Sequence, residues 1–279
     1  MKSNDYMMQM ENYICYLRDE ERSSATMDQY KRDILCFFKF LKSEELTKEE
    51  VLRYKEEIKR KYQPVSVNTK LSALNSFFSF IDRDDLKLKL LNIQKSPYCS
   101  VDKELSKAEY LRLVKAAEKK KNKRLSLLLQ TICGTGIRVS ELKYITVGAI
   151  ERGEAVIRLK GKTRKILIPK KLQKMLIDYV HRKRINEGAV FVTRTGRPLD
   201  RSNIWKMMKD LCRDAGVDER KCFPHNLRHL FARCFYSMDK DIAKLADILG
   251  HSSIETTRIY IITSGAEHQR YLDTLGLVI

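Results

Sequence analysis

Apolar residues three and four positions apart recur along most of the chain, and a short segment in its second half has a different pattern. The spacing is clearest in TMDQYKRDILCFFKFL, where Met27, Ile34 and Phe37 fall on one helical face. β-rich runs occur instead between residues 156 and 168. The chain is therefore predicted to be mainly α-helical, with a small antiparallel sheet.

The first 90 residues predict a small helical bundle, because four amphipathic segments follow one another with short connections. Residues 92–104, which include Pro97, lose the periodicity and are predicted to be a linker. We therefore expect one domain over residues 1–91 and a second over residues 105–279. The four predicted helices cover residues 7–21, 26–41, 47–62 and 66–81.

The second domain is predicted to be mostly helical around one β-hairpin. The runs Val156–Leu159 and Ile166–Ile168 are joined by a basic turn, which is typical of a hairpin. Ser252 and Glu255 have the spacing of a capping box, which predicts that they open the last helix, carrying Tyr260. The other predicted helices cover residues 107–120, 172–184, 201–215, 224–237 and 241–250.

Positive charge is concentrated in the second domain. The chain carries a net charge of +19, and residues 1–100 hold only 18 Lys and Arg against 16 Asp and Glu. Residues 101–279 hold 37 against 20. This excess favours a polyanionic partner, with nucleic acid as the leading candidate, although a protein from a lysine-rich proteome would also show it.

The cysteine content and the N-terminal residues predict a cytoplasmic protein. Seven cysteines are an odd number and form no CxxC pair, which favours free thiols in a reducing compartment. No run of 18 apolar residues is present, and the N-terminus lacks the apolar core of a secretory signal. We expect no membrane partner.

Three familiar motifs are present only in part. The GKT at residues 161–163 lacks the glycine of a phosphate-binding loop, because Val156 stands there. Cys222, His225 and His229 have zinc-like spacing, but Arg228 lies between the histidines and opposes a metal. The segment DIAKLADILGHSSIETTRIY resembles a helix-turn-helix, with His251 where that motif usually has an apolar residue. We therefore expect no nucleotide or metal cofactor.

Cleavage of a phosphodiester without a metal needs a nucleophile, cations on the non-bridging oxygens and a proton for the leaving oxygen. Arginine suits the second task, because its planar fork binds two oxygens and keeps its charge. The sequence offers GTGIRVSEL, KGKTRK, PHNLRH and LGHSS in that order. The candidate site residues are Arg138, Lys162, His225, Arg228, His251 and Tyr260.

His251 and Tyr260 raise a geometric question, because nine residues of helix span about 14 Å. The two side chains cannot be neighbours along one straight helix. They must either flank a ligand, such as a sugar-phosphate, or lie where the helix bends or breaks.

Taken together, Arg138, Lys162, the HxLRH at 225–229, the LGH at 249–251 and Tyr260 resemble the tyrosine recombinases, or phage-type integrases. The resemblance is closest to the Xer-type and transposon-integrase branch and covers nearly the whole chain. It implies a SAM-like, four-helix core-binding domain and an α+β catalytic domain of the DNA breaking-rejoining type.

The resemblance implies a role for each candidate. Tyr260 would be the nucleophile that forms a 3′-phosphotyrosyl bond, and Arg138 and Arg228 would hold the scissile phosphate. Lys162 would protonate the 5′ oxygen, with Lys160 and Lys165 as alternatives because the hairpin tip departs from the family pattern. His225 and His251 would support hydrogen bonding and proton handling, whereas His229 would be structural.

The expected activity is metal- and ATP-independent, site-specific recombination of DNA, either for integration of a mobile element or for resolution of DNA dimers. A nicking-closing enzyme like a type IB topoisomerase and a catalytically silent DNA-binding regulator remain the alternatives. The resemblance implies a tetramer on DNA with possible accessory proteins, acting at the nucleoid. The tail after Tyr260 would pack on its own domain or on a neighbouring subunit.

Overall fold

The computed structural model divides the chain into two compact units, residues 1–95 and 96–279. The described residues are 3–41, 46–93, 104–159, 162–261 and 273–275. Most of them are helical, and the one sheet among them has two antiparallel strands. The predicted fold class is confirmed.

The first unit is a bundle of helices around an aromatic core. Phe37 and Phe78 meet edge to face at 5.9 Å between ring centroids, and Tyr13 meets Phe77 in the same way at 5.4 Å. The fourth helix begins at Pro64, two residues earlier than predicted, because proline suits the first helical turn. The helices are α1 (Ser3–Asp19), α2 (Ser24–Phe40), α3 (Lys48–Lys61) and α4 (Pro64–Phe80).

The second unit packs helices around a β-hairpin. In the hairpin Glu154 pairs with Leu167 and Leu159 pairs with Lys162, so Lys162 is the first residue of the second strand. A 3₁₀ turn at Val139–Tyr144 follows α6. The elements are α5 (Lys107–Lys119), α6 (Lys123–Thr135), α7 (Val147–Arg152), β1 (Glu154–Leu159), β2 (Lys162–Leu167), α8 (Lys170–Lys183), α9 (Arg201–Ala215), α10 (Pro224–Asp239), α11 (Ile242–Leu249) and α12 (Ile254–Ile261).

Helix α6 is a central element that the periodicity did not predict. Its residues Leu127, Leu128 and Leu129 are consecutive, and all three are buried. A run of consecutive buried apolar residues is compatible with a buried strand as well as with a helix, so this stretch of sequence does not by itself identify the element. The burial explains why the pattern failed here.

The start of α12 differs from the prediction by one residue. The helix begins at Ile254, and the hydroxyl of Ser253 accepts the backbone N–H of Glu255 at 3.2 Å. The predicted capping box on Ser252 is therefore wrong. The Glu255 carboxylate accepts from Arg258 at 2.9 Å.

Two glycines end the helices that lead into the candidate site. Gly136 ends α6 and Gly250 ends α11, and both have a φ of +64°. This left-handed conformation strains any residue with a Cβ. A Cβ on Gly136 would also lie 2.5 Å from Cδ1 of Phe231. These glycines set the direction in which the chain reaches Arg138 and His251.

Among the described residues, none of the helices is long and apolar enough to cross a membrane.

We predict that Gly136→Ala destabilises the second unit more than Gly216→Ala does. Both positions have positive φ, which costs about 1–2 kcal/mol for alanine, but a Cβ on Gly216 meets nothing within 4 Å. The clash with Phe231 adds about 1–3 kcal/mol. Urea unfolding followed by the fluorescence of Trp205, the single tryptophan, measures the difference. Equal losses of stability would contradict the packing described here.

Candidate active site

A buried guanidinium lies at the centre of the candidate site. Arg228 on α10 is only 1% exposed, although it carries a charge. Its Nη1 donates to the carbonyl oxygen of Gly136, and its Nη2 donates to the carbonyl oxygen of Leu249 at 2.7 Å and contacts His251 Nε2 at 2.9 Å. Arg228 thereby joins the ends of α6 and α11.

The contacts of His251 fix its protonation. Arginine only donates hydrogen bonds, so Nε2 of His251 accepts from Arg228 and its proton resides on Nδ1. Nδ1 lies 2.8 Å from Oγ1 of the buried Thr257 and donates to it. Burial, with the charges of Arg228 and Arg138, lowers the pKa of His251 to about 4. His251 is therefore neutral at pH 7 and positions Arg228.

Tyr260 lies beside three histidines and is itself 6% exposed. Its ring stacks on that of His229 at 4.3 Å between centroids and lies 5.4 Å from that of His225. The Tyr260 hydroxyl is 3.4 Å from Nε2 of His225. The guanidinium carbon of Arg228 lies 5.8 Å from the ring centroid. The Tyr260 side chain therefore lies next to both a proton acceptor, His225, and a cation, Arg228.

His251 and Tyr260 are in contact, with 5.2 Å between their ring centroids. Of the two arrangements that the sequence left open, the break in the helix is the one observed. The chain is not helical at residues 251–253, so His251 turns back onto the face of α12 that carries Thr257 and Tyr260. Residues three apart share such a face.

Arg138 is the accessible arginine of the site, with 39% of its side chain exposed. Its Nη1 donates to Glu141 at 3.0 Å, and its Nη2 donates to the carbonyl oxygen of Gly250 at 3.3 Å. Glu141 also accepts the backbone N–H of Arg138 at 2.9 Å. These bonds hold the guanidinium near the α11–α12 turn while leaving it open to a ligand.

Lys162 lies at the end of the hairpin, but its side chain lies outside the described part of the structure, as does all of Lys160. The Nζ of Lys165 donates to the Glu154 carboxylate at 3.0 Å. Lys165 is thus engaged across the hairpin. The tail from residue 262 onward falls outside the described residues, apart from 273–275.

Two residues that the sequence analysis missed complete the cluster. Glu141 is 2% exposed and pairs with both Arg138 and Arg164. Arg164 comes from β2, and its Nη1 donates to the carbonyl oxygen of Ile248 at 3.1 Å. The sequence signal for Glu141 is its position three residues after Arg138 in the GTGIRVSEL segment, whereas Arg164 looks like one of many surface cations.

Two buried side-chain nitrogens in the described part of the chain lack a hydrogen-bond partner, Nε of Arg164 and Nε of Arg228. Such a group costs about 1–3 kcal/mol of folding free energy, so it calls for an explanation. Both belong to guanidiniums of this cluster. The energetic cost of these unpaired groups is therefore concentrated at the candidate site.

Burial keeps the histidines of the site neutral. It lowers the pKa of His229 to about 4, and electrostatic interactions with His225 and Arg228 act in the same direction. The same causes, burial first and then Arg228, lower the pKa of His225. Burial and the charge of Arg138 lower the pKa of Arg228 to about 10, which leaves it protonated at pH 7. Arginine therefore supplies the positive charge among the described side chains of the site.

The three residues with zinc-like spacing have different surroundings. The thiol of Cys222 lies in the core, 3.4 Å from the carbonyl oxygen of Met208. His225 and His229 contact Tyr260 instead. Among the described residues, no group of three or more His, Cys, Asp or Glu side chains is arranged to hold a metal ion.

Two family models match most of the chain. The model described as the phage integrase family matches residues 103–266, and the model described as the phage integrase N-terminal SAM-like domain matches residues 10–84. The tyrosine recombinase XerA of Pyrococcus furiosus is 31% identical over 260 residues, which cover 90% of this chain and 88% of that protein.

Solved structures with similar folds include two integrases. The Tn1549 transposon integrase in complex with transposon right end DNA has a TM-score of 0.73 and 16% identity, covering 99% of both chains. A lambda integrase tetramer bound to a Holliday junction has a TM-score of 0.72 and 18% identity, covering 91% of this chain and 76% of the other. At these identities the likeness shows a shared fold.

We predict that the neutral histidines make the second unit less stable as the pH falls from about 6.5 to about 4. In this range the unfolded chain binds protons that the folded site excludes, so the free energy of unfolding decreases with falling pH. Each such histidine contributes a slope of up to about 1.4 kcal/mol per pH unit.

Urea unfolding of the wild type and of His229→Gln between pH 4 and pH 7 measures the contribution of one histidine. Carboxylates titrate in both proteins, so the difference between the two slopes isolates His229. We expect the shallower slope in His229→Gln. Identical slopes would show that His229 is protonated in the folded site.

Proposed function

The chain belongs to the phage integrase family, the tyrosine recombinases, and we propose that Tyr260 is the nucleophile with which it cuts and rejoins DNA. Enzymes of this family break and rejoin DNA through a tyrosine intermediate. The observation that carries the proposal is the convergence of the Tyr260 hydroxyl, His225 and Arg228 at one place.

In the proposed reaction, the Tyr260 oxygen attacks the scissile phosphorus and the bond to the 5′ oxygen breaks. The products are a 3′-phosphotyrosyl bond and a free 5′ hydroxyl. Tyr260 gives up its proton, and Nε2 of neutral His225, 3.4 Å away, is placed to accept it. That distance must shorten in the complex with DNA, which is usual for catalytic hydrogen bonds.

The arginines provide the electrostatic part of the proposal. The phosphate diester carries one negative charge, and a second develops as the phenolate attacks. Arg138 presents an accessible guanidinium, and Arg228 holds a fixed one whose Nε has no partner. Charges that are fixed before the reaction need no reorganisation during it. His251 keeps Arg228 in place by accepting from it.

Lys162 is proposed to protonate the departing 5′ oxygen. It stands at the end of the hairpin, whereas Lys165, three residues further along the same strand, pairs with Glu154. One phosphodiester is exchanged for another of similar energy, so the reaction as proposed has no step for ATP and no step for a metal ion.

The two domains have separate roles in the proposed reaction. Residues 1–91 are the core-binding domain, residues 92–104 the linker and residues 105–279 the catalytic domain with its tail. Both domains bind duplex DNA mainly through phosphates, so affinity should fall steeply with salt. We propose a tetramer at synapsis, acting on DNA in the cytoplasm for integration, excision or dimer resolution.

We predict that the protein forms a covalent adduct with DNA and that Tyr260→Phe abolishes it. Phenylalanine keeps the ring contacts but lacks the attacking oxygen. The protein is incubated in EDTA with fragmented genomic DNA of its source and denatured in SDS, and the bound DNA is sequenced. Tyr236→Phe, another tyrosine of the same cluster on α10, is the matched control and should retain the adduct.

DNA attached to the wild type and to Tyr236→Phe only would support the proposal and reveal the DNA site. An adduct that survives in Tyr260→Phe would refute the proposed nucleophile. Exchange of strands between two captured sites, as opposed to nicking and closing of one, separates a recombinase from a topoisomerase-like enzyme.

We predict that Lys162→Ala slows adduct formation by about 100- to 10,000-fold, the usual range for a lost general acid. A substrate with sulfur in place of the 5′ bridging oxygen should restore the rate, because a thiolate leaves without a proton. Lys165→Ala is the matched control, because Lys165 is paired with Glu154. If the sulfur-containing substrate restored the rate of Lys160→Ala and not that of Lys162→Ala, the general acid would be Lys160.

A further inference from the structure

Arg164 is largely buried within the site, although the proposed reaction gives it no role. It lies on β2, two residues after Lys162, and 14% of its side chain is exposed. Its Nη2 donates to the Glu141 carboxylate, and its Nη1 donates to the carbonyl oxygen of Ile248 at 3.1 Å. The hairpin is thereby fixed to the 3₁₀ turn after α6 and to the end of α11.

Glu141 is shared between two guanidiniums. One carboxylate oxygen accepts from Arg138 Nη1 at 3.0 Å, and the other accepts from Arg164 and from the backbone of Arg138. The carboxylate is 2% exposed, so water does not screen its charge. If Arg164 were absent, this buried negative charge would act on Arg138 alone.

We propose that Arg164 is a positioning residue of the DNA-cleavage reaction, which neutralises the Glu141 carboxylate so that this carboxylate does not offset the positive charge that Arg138 presents to the scissile phosphate. The inference rests on the proposed function. With Arg164 the three arginines and one carboxylate carry a net charge of +2, which matches the two negative charges of the attacked phosphate. Without Arg164 the net charge is +1.

The turn after α11 is shaped around this arginine. A Cβ on Gly250 would overlap Cδ of Arg164 and lie 2.8 Å from its Nη1. The carbonyl oxygen of Gly250 in turn accepts from Arg138 Nη2 at 3.3 Å. Burial lowers the pKa of Arg164, because the loss of hydration disfavours the charged guanidinium. The same turn therefore contacts both guanidiniums that share Glu141.

The test compares Arg164→Met with the double variant Arg164→Met/Glu141→Gln. Methionine removes the charge while retaining much of the side-chain length. We expect Arg164→Met to form the covalent adduct on the captured DNA about 100-fold more slowly than the wild type. The double variant should regain at least about tenfold, because it has no carboxylate left to neutralise. Arg158→Met, on the exposed side of β1, is the matched control and should be unaffected.

A methylphosphonate at the scissile position separates charge from shape. It removes one negative charge from the phosphate, so the deficit of Arg164→Met should shrink on this substrate. A residue that only braced the hairpin would lose the same factor on both substrates. The proposal is overturned if Arg164→Met cleaves within about threefold of the wild type, or if the double variant is no faster than the single one.

A measurement without DNA distinguishes this proposal from the proposed function. Arg164→Met should lower the melting temperature in the wild-type background and lower it less in the Glu141→Gln background, because the two side chains are coupled. An absent adduct in the wild type would refute the proposed function. Equal losses of melting temperature in both backgrounds would overturn the role of Arg164 whatever the outcome with DNA.

Discussion

The buried guanidinium of Arg228 is the interaction on which the geometry of the site depends. A charge in the protein interior is tolerated only with close hydrogen-bond partners. Arg228 finds them in the carbonyl groups of Gly136 and Leu249, at the C-terminal ends of two helices. Such carbonyls lack partners within their own helix and carry the negative end of its dipole.

This arrangement places the other groups of the site as a consequence. Arg138 follows Gly136 by two residues, and His251 follows Leu249 by two residues. Satisfying the charge of Arg228 therefore fixes the starting points of both segments, and His251 closes the arrangement by accepting from Arg228 and donating to Thr257. A phosphate that entered the site would meet guanidiniums that are already oriented.

The sequence indicated the helical fold, the hairpin and the family, because each follows from local spacing or from a combined motif. It missed α6, whose run of consecutive buried leucines fits a strand as well as a helix, and it placed the cap of α12 one residue too early. Glu141 and Arg164 were missed for another reason. Their pairing joins positions 23 residues apart through the hairpin, and no local pattern distinguishes Arg164 from the many surface cations. Contacts of this kind depend on tertiary structure.

Mass spectrometry of the trimmed adduct shows whether the oxygen of Tyr260 becomes bonded to DNA. Trypsin cleaves after Arg258 and Arg270, so residues 259–270 form one peptide with Tyr260 as its single tyrosine. After nuclease digestion, we expect this peptide to carry a nucleotide joined through its 3′ phosphate. A nucleotide on any other peptide, or a 5′ linkage, would show that Tyr260 is not the nucleophile proposed here.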